Sequence, residues 1–153
     1  MRLRSLLVPV LLAAALPFGA ATAQSVEAAV KARQAHMGLY AFNLGPLGAM
    51  AKGEVPYDAA AASAAAANLA ALSAMDQSRY WPPGSESGAV EGSRALPAIW
   101  EPTSDIMAKA AAFNDAVTAL VGAAGTDLPA LQAAMGAVGG ACGACHQSYR
   151  AAN

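Results

Sequence analysis

Asp127-Leu-Pro-Ala-Leu-Gln-Ala-Ala-Met-Gly-Ala-Val-Gly-Gly-Ala-Cys-Gly-Ala-Cys-His-Gln-Ser-Tyr149 is the stretch whose reading decides the fold. Asp127 is a strong helix N-cap, and Pro129 is tolerated in a first turn. Leu128, Leu131, Met135, Val138, Cys142, Cys145 and Tyr149 then recur at steps of three and four. That spacing puts them on one side of an α-helix, so both cysteines are expected to face a core.

Three further segments carry the same period. The first runs from about Val26 to Met50, with Gly45-Pro46 expected to kink or end it. Its seam reads Val26, Val30, Arg33, Met37, Tyr40, Leu44 and Leu47, the a/d pattern of helices crossing at a shallow angle. The second begins at the cap Asp58 and continues to about Met75, with Ala65, Leu69 and Leu72 on one face. Its alanines favour helix and allow close approach. The third starts between Thr103 and Asp105, turns Ile106, Ala110, Phe113, Val117 and Leu120 inward, and ends at Gly122 and Gly125. Between about Arg79 and Thr103, Trp81-Pro82-Pro83-Gly84-Ser85, Gly88, Gly92 and Pro97 break the pattern. Two short connections and one long crossover predict an all-α, antiparallel four-helix bundle.

Met1-Arg2-Leu3-Arg4, the apolar run Leu6 to Leu16 and Ala21-Thr22-Ala23 read as an export signal cut after residue 23. The run is shorter than the roughly 20 residues that span a bilayer. The expected mature chain is therefore one domain, 24–153, periplasmic and without membrane insertion. Loss of Arg2 and Arg4 leaves seven basic residues against ten acidic ones. An acidic chain with no basic patch excludes nucleic acid and anionic membranes as partners.

Cys142-Gly143-Ala144-Cys145-His146 has the spacing of a c-type haem attachment site. Two thiols one turn apart can each add across a haem vinyl group, and the adjacent imidazole can reach the iron. The rival readings fit less well. A thioredoxin-like pair needs a preceding strand, and a zinc site needs more ligands than His36 can add. An i,i+3 disulfide within a helix has poor geometry. Opposite His146, Met37 on the seam could supply a thioether, with Met50, Met75 and Met107 as rivals and plain packing as the alternative. His36 falls one residue off the seam, which suits a surface role. Arg33 interrupts an apolar seam and needs a partner. A haem propionate would serve, with Gln34 beside it, unless the arginine head simply reaches solvent.

With these residues in view, the chain resembles the class II cytochromes c, the cytochrome c-prime family, over essentially residues 26–151. The resemblance rests on Val30-Lys31-Ala32-Arg33-Gln34, Lys52-Gly53-Glu54-Val55-Pro56-Tyr57-Asp58, Ile99-Trp100 and Cys142-x-x-Cys145-His146-Gln147-Ser148-Tyr149-Arg150, with the haem motif near the C-terminus. It implies a left-twisted bundle around one haem c, often dimeric through the first two helices. It also implies His146 as proximal ligand, Arg33 and Gln34 as propionate contacts, Ser85-Glu86 as neighbours of the haem edge, and Arg150 covering the proximal side. The family has two branches that differ at one position on the first helix, which here is Met37. A methionine ligand there gives a six-coordinate electron carrier. A non-ligating residue leaves a five-coordinate iron that binds nitric oxide and carbon monoxide. Met37 sets the expectation of a one-electron carrier acting with redox partner proteins, the gas-binding protein being the alternative. Neither is an enzyme, and no distal Arg/His pair for peroxide cleavage stands out.

Overall fold

A computed structural model describes residues 25–152, so the expected export signal at 1–23 lies outside the described residues. Four helices carry the chain: α1 (Val26–Ala51), α2 (Ala59–Ser73), α3 (Ile106–Ala123) and α4 (Leu128–Tyr149). Among the described residues there is no β-strand, only isolated bridges. The expected all-α bundle is what the chain forms.

The caps are local chemistry. The side chains of Ser25, Asp58 and Asp127 accept hydrogen bonds from amides in the first turns of α1, α2 and α4. Gly53, at φ 73°, ends α1 in the left-handed conformation that glycine adopts without strain. Pro46 does not end α1, the second of its two expected effects. The carbonyl it strands one turn back belongs to Phe42, which is 76% exposed, so water can take the missing hydrogen bond.

Each helix packs on two neighbours in the ring α1–α2–α3–α4. Gln132 Nε2 donates to the Ala51 carbonyl, and Tyr57 OH donates to that of Ala124. These bonds gather the end of α1, the start of α2, the end of α3 and the start of α4 at one end of the bundle. The fully buried apolar side chains Leu47, Val117, Leu120, Leu131 and Val138 lie in those same helix halves, with Ala62 and Ala66 of α2 between them, while Leu69 lies further along α2. At the other end, α3 buries nothing before Val117, and residues 141–146 of α4 are all half-buried. Ala110 is exposed, not inward as its spacing suggested.

The long connection is not a crossover, since it joins the adjacent helices α2 and α3. It arches over the cysteine-bearing end, with short 3-10 turns at Ser78–Tyr80 and Pro97–Trp100 that pack on α1 and α4. Although α3 and α4 have the length and apolarity of membrane spans, Val117, Leu120, Leu131 and Val138 give each a stripe in the core.

The face α1 buries is rotated from the expected seam. Arg33, His36, Tyr40, Asn43, Leu47 and Met50 are buried. His36 is 3% exposed, whereas Met37 is 41% exposed and Leu44 half-buried. Aromatic partners explain the rotation. The His36 ring meets Tyr40 edge-on at 4.7 Å and lies 5.6 Å from Tyr80, a residue of the long connection.

Leu131→Ala, in the packed end, is expected to cost about 2–5 kcal/mol of stability. Chemical denaturation measures it, and a loss below about 1 kcal/mol would contradict this location of the core.

Candidate functional site

The motif occupies the last turns of α4. Cys142 and Cys145 are free thiols, half-buried, and His146 follows at the same depth. Burial raises the pKa of both thiols, holding them protonated, and each further responds to its neighbours. Cys145 adds to the rise at Cys142, while Lys109 partly offsets it at Cys145. The His146 imidazolium is disfavoured first by burial, then by the Arg150 and Arg94 charges. A ring kept neutral has a lone pair to give a metal. Tyr40 of α1 feels the Cys142 charge and meets Phe113 of α3 edge-on at 5.1 Å, so α1 and α3 both border the motif.

Met37 sits on the edge of α1's buried face. Leu39 and Asn43, on the opposite edge, line a groove with Asn68 and Leu72 of α2 and with Met75 just beyond its end. At 100° per residue, Met37 therefore falls on the flank turned away from α2, the side of α1's other neighbour, α4. His36 is buried against the opposite flank. Its Nε2 has no hydrogen-bond partner, and burial lowers its pKa, countered in part by a hydrogen bond to the Leu72 backbone.

Arg33 organises the long connection. Its Nη1 donates to Ser85 Oγ (2.8 Å) and to the Tyr80 carbonyl (3.3 Å). Its Nη2 donates to the Ser85 carbonyl and to Ser93 Oγ (2.6 Å). Ser93 Oγ in turn donates to the Ser85 carbonyl (2.7 Å), and the guanidinium lies 5.0 Å over the Trp81 ring. Arg33 is only 5% exposed, yet among the described residues it pairs with no carboxylate. A buried cation held by neutral acceptors still lacks a counter-charge, and its Nε–H remains to be donated. Gln34 is exposed and bonds the Gly92 carbonyl at 2.8 Å. Glu86 is half-buried, and its carbonyl accepts from the Ala89 and Val90 amides.

A second clasp joins α4 to the rim. Tyr149 OH donates to Asp105 Oδ1 (2.5 Å) and accepts from the Asp105 amide (2.8 Å). Sequence reasoning passed over Tyr80, Ser93 and Arg94. Small polar residues in a Gly/Ser-rich stretch carry no periodic signal, and only a buried partner such as Arg33 reveals them.

These residues suit a large, flat, apolar group bearing acids. Two thiols and an imidazole lie on one helix, and a buried cation awaits an anion. Among the described residues, no three of His, Cys, Asp and Glu gather to hold a bare metal ion. Comparison with known proteins decides which group. The family model for cytochrome C' matches residues 28–150.

The chain belongs to the cytochrome c' family.

It is 46% identical over 136 residues to cytochrome c-554 of Cereibacter sphaeroides, covering 89% of each chain. It is also 46% identical over 139 residues to cytochrome c' of that organism, covering 91% of this chain and 93% of the relative. A solved cytochrome c' from Rhodobacter superposes with a TM-score of 0.82 at 45% identity, over 84% of this chain and 99% of that one. A nitric oxide complex of a cytochrome c prime mutant from Alcaligenes xylosoxidans gives 0.72 at 39%, over 84% and 98%. Family membership makes the group haem c, attached through the two cysteines of the chain. Cys142 and Cys145 would hold it through two thioethers, each thiol adding across a haem vinyl group, sulfur to one carbon and hydrogen to the other.

Arg33→Met would strip the Ser85 and Ser93 acceptors of their donor and is expected to cost about 3 kcal/mol or more. Limited proteolysis within 79–96 should accelerate in parallel, and an unaltered cleavage rate would contradict the clasp. The lowered pKa values of His36 and His146 fix the sign of a pH effect. The unfolded chain binds these protons first, so stability falls as pH drops through the unfolded value of about 6.5. Haem-free protein should show a lower urea midpoint at pH 5.5 than at 7.5, by a margin that narrows in His36→Leu. Equal midpoints would contradict it.

Proposed function

We propose that this protein binds a small diatomic gas, nitric oxide above all, at the haem face opposite His146. The observation that carries this reading is Met37. It stands at the α4-facing edge of α1, 41% exposed and outside the apolar core cluster, so the packing of the chain's own side chains does not clamp its thioether. The nitric oxide complexes among the solved relatives support the same reading. When bound, the haem supplies an iron that changes valence and takes a diatomic ligand.

The chain's own residues do the rest. Cys142 and Cys145 fix the macrocycle to α4, and His146 gives its neutral lone pair. Arg33, through its remaining N–H and its unbalanced charge, receives a propionate, with Gln34 and Glu86 at the rim. Peroxide chemistry is disfavoured. The Arg33 terminal N–H groups are committed to the connection, and His36 is enclosed by Tyr40 and Tyr80. The protein acts after export to the periplasm, as its leader suggests. The groove of Leu39, Phe42, Leu72 and Met75 supports pairing of two copies through α1 and α2.

A second reading, the six-coordinate carrier that trades electrons with redox partner proteins, is favoured by the chemistry of Met37. Its thioether lies on the α4 side and raises a haem potential when it ligates.

Absorption spectra of the ferric and ferrous holoprotein, with and without carbon monoxide, separate the two. Gas binding predicts a high-spin spectrum that shifts with the gas and is little changed by Met37→Leu. A low-spin spectrum indifferent to carbon monoxide, turned high-spin by Met37→Leu, would contradict it and establish the carrier. Cys145→Ala should leave a haem with one thioether, visible in the pyridine haemochrome. An unchanged two-thioether band would refute attachment there.

A further inference from the structure

Arg94 lies outside the motif, in the long connection, yet the fold bolts it beside His146. The Ala151 amide donates to the Arg94 carbonyl (2.8 Å) and the Leu96 amide to that of Tyr149 (2.9 Å), which makes Ala95 and Arg150 an antiparallel bridge. The Arg94 side chain then turns back along the same segment. Its Nε and Nη2 both donate to the Ala151 carbonyl, at 3.2 and 2.6 Å. The guanidinium is thereby fixed at the wall of an open cavity of about 440 Å³, shared with Gly143, His146, Gln147 and Arg150.

Two features distinguish this charge from an ordinary surface arginine. It is half-buried and held by a forked bond, whereas Arg150 is exposed. It is also unneutralised, because the ion pairs among the described residues are Lys52–Glu54 and Lys109–Asp105. Both arginines line the same cavity wall as His146, so their charges lie beside that ring.

We propose that Arg94 is a tuning residue for the haem: its fixed positive charge on the His146 side raises the reduction potential. The inference rests on the reading that haem is attached at Cys142 and Cys145 with His146 as its ligand. Reduction of ferric to ferrous iron removes one positive charge from the centre. A nearby cation repels the ferric form more than the ferrous one, so it favours the added electron. Arg94 does this without touching the haem, and the bridge between 94–96 and 149–151 keeps it in place through the redox cycle.

The test is a redox titration of the holoprotein in wild type, Arg94→Lys and Arg94→Gln, with spectra confirming two thioethers and an unchanged spin state. The charge account expects a lower midpoint potential in R94Q, a value near wild type in R94K, and a gap between wild type and R94Q that narrows as salt is raised. Equal drops in R94K and R94Q would overturn it, since Arg94 would then merely pin the C-terminal segment. A potential in R94Q equal to wild type would overturn it also. Should R94Q not fold, Arg94→Met removes the same charge and is read in the same way. A wild-type protein without covalent haem would sink the functional reading and the inference together. A haem-loaded protein whose potential ignores Arg94 sinks the inference alone.

Discussion

The bundle has apolar bulk for only one of its ends, and the rest of the structure follows from that shortage. Leu47, Leu120, Leu131 and Val138 close the end where the short connections lie. The alanines of α2 let the helices approach there without large side chains. Toward the other end the helices carry Arg33, His36, Tyr40, the thiols and His146, and α3 buries no side chain before Val117. A macrocycle with a broad apolar face and two acids matches what these residues lack. The haem of this family is in this sense part of the core as well as its chemistry.

Polar anchors shape that end in place of packing. Arg33 gathers Tyr80, Ser85 and Ser93 from one side. The bridge at Ala95–Arg150 and the Tyr149–Asp105 clasp hold the connection and the start of α3 to α4 from the other. Arg33 is the costly member, because a cation in the core needs acceptors and a counter-charge. Its neutral acceptors supply the first, and a propionate is the natural source of the second. The same architecture leaves two arginines beside His146 on a chain that is otherwise acidic, so the iron would sit in a field unlike that of the whole molecule.

Much of this was legible in the residues. The haem motif is a covalent requirement and reads at full strength from five positions. The caps Asp58 and Asp127 and the four helices read almost as well, because caps and periods are local. Features that depend on distant partners did not read. The rotation of α1, which buries His36 and exposes Met37, comes from aromatic rings contributed by Tyr40 and Tyr80. Pro46 failed to end its helix because exposure of the turn before it made the lost bond cheap. The connection looked like a crossover because length says nothing about which helices are neighbours. Arg33 was recognised as needing a partner, but Ser93 and the hold of Ser85 on the guanidinium were invisible, as was the backbone bridge that places Arg94.

Hydrogen exchange of the haem-loaded protein, compared with a haem-free Cys142→Ala/Cys145→Ala variant, tests the central claim most directly. If the haem completes a half-built core, amide protection in 106–116 and 141–149 should rise strongly with haem. Amides around Leu47, Leu120 and Leu131 should change little. Equal protection in both forms, or a uniform change along all four helices, would contradict it.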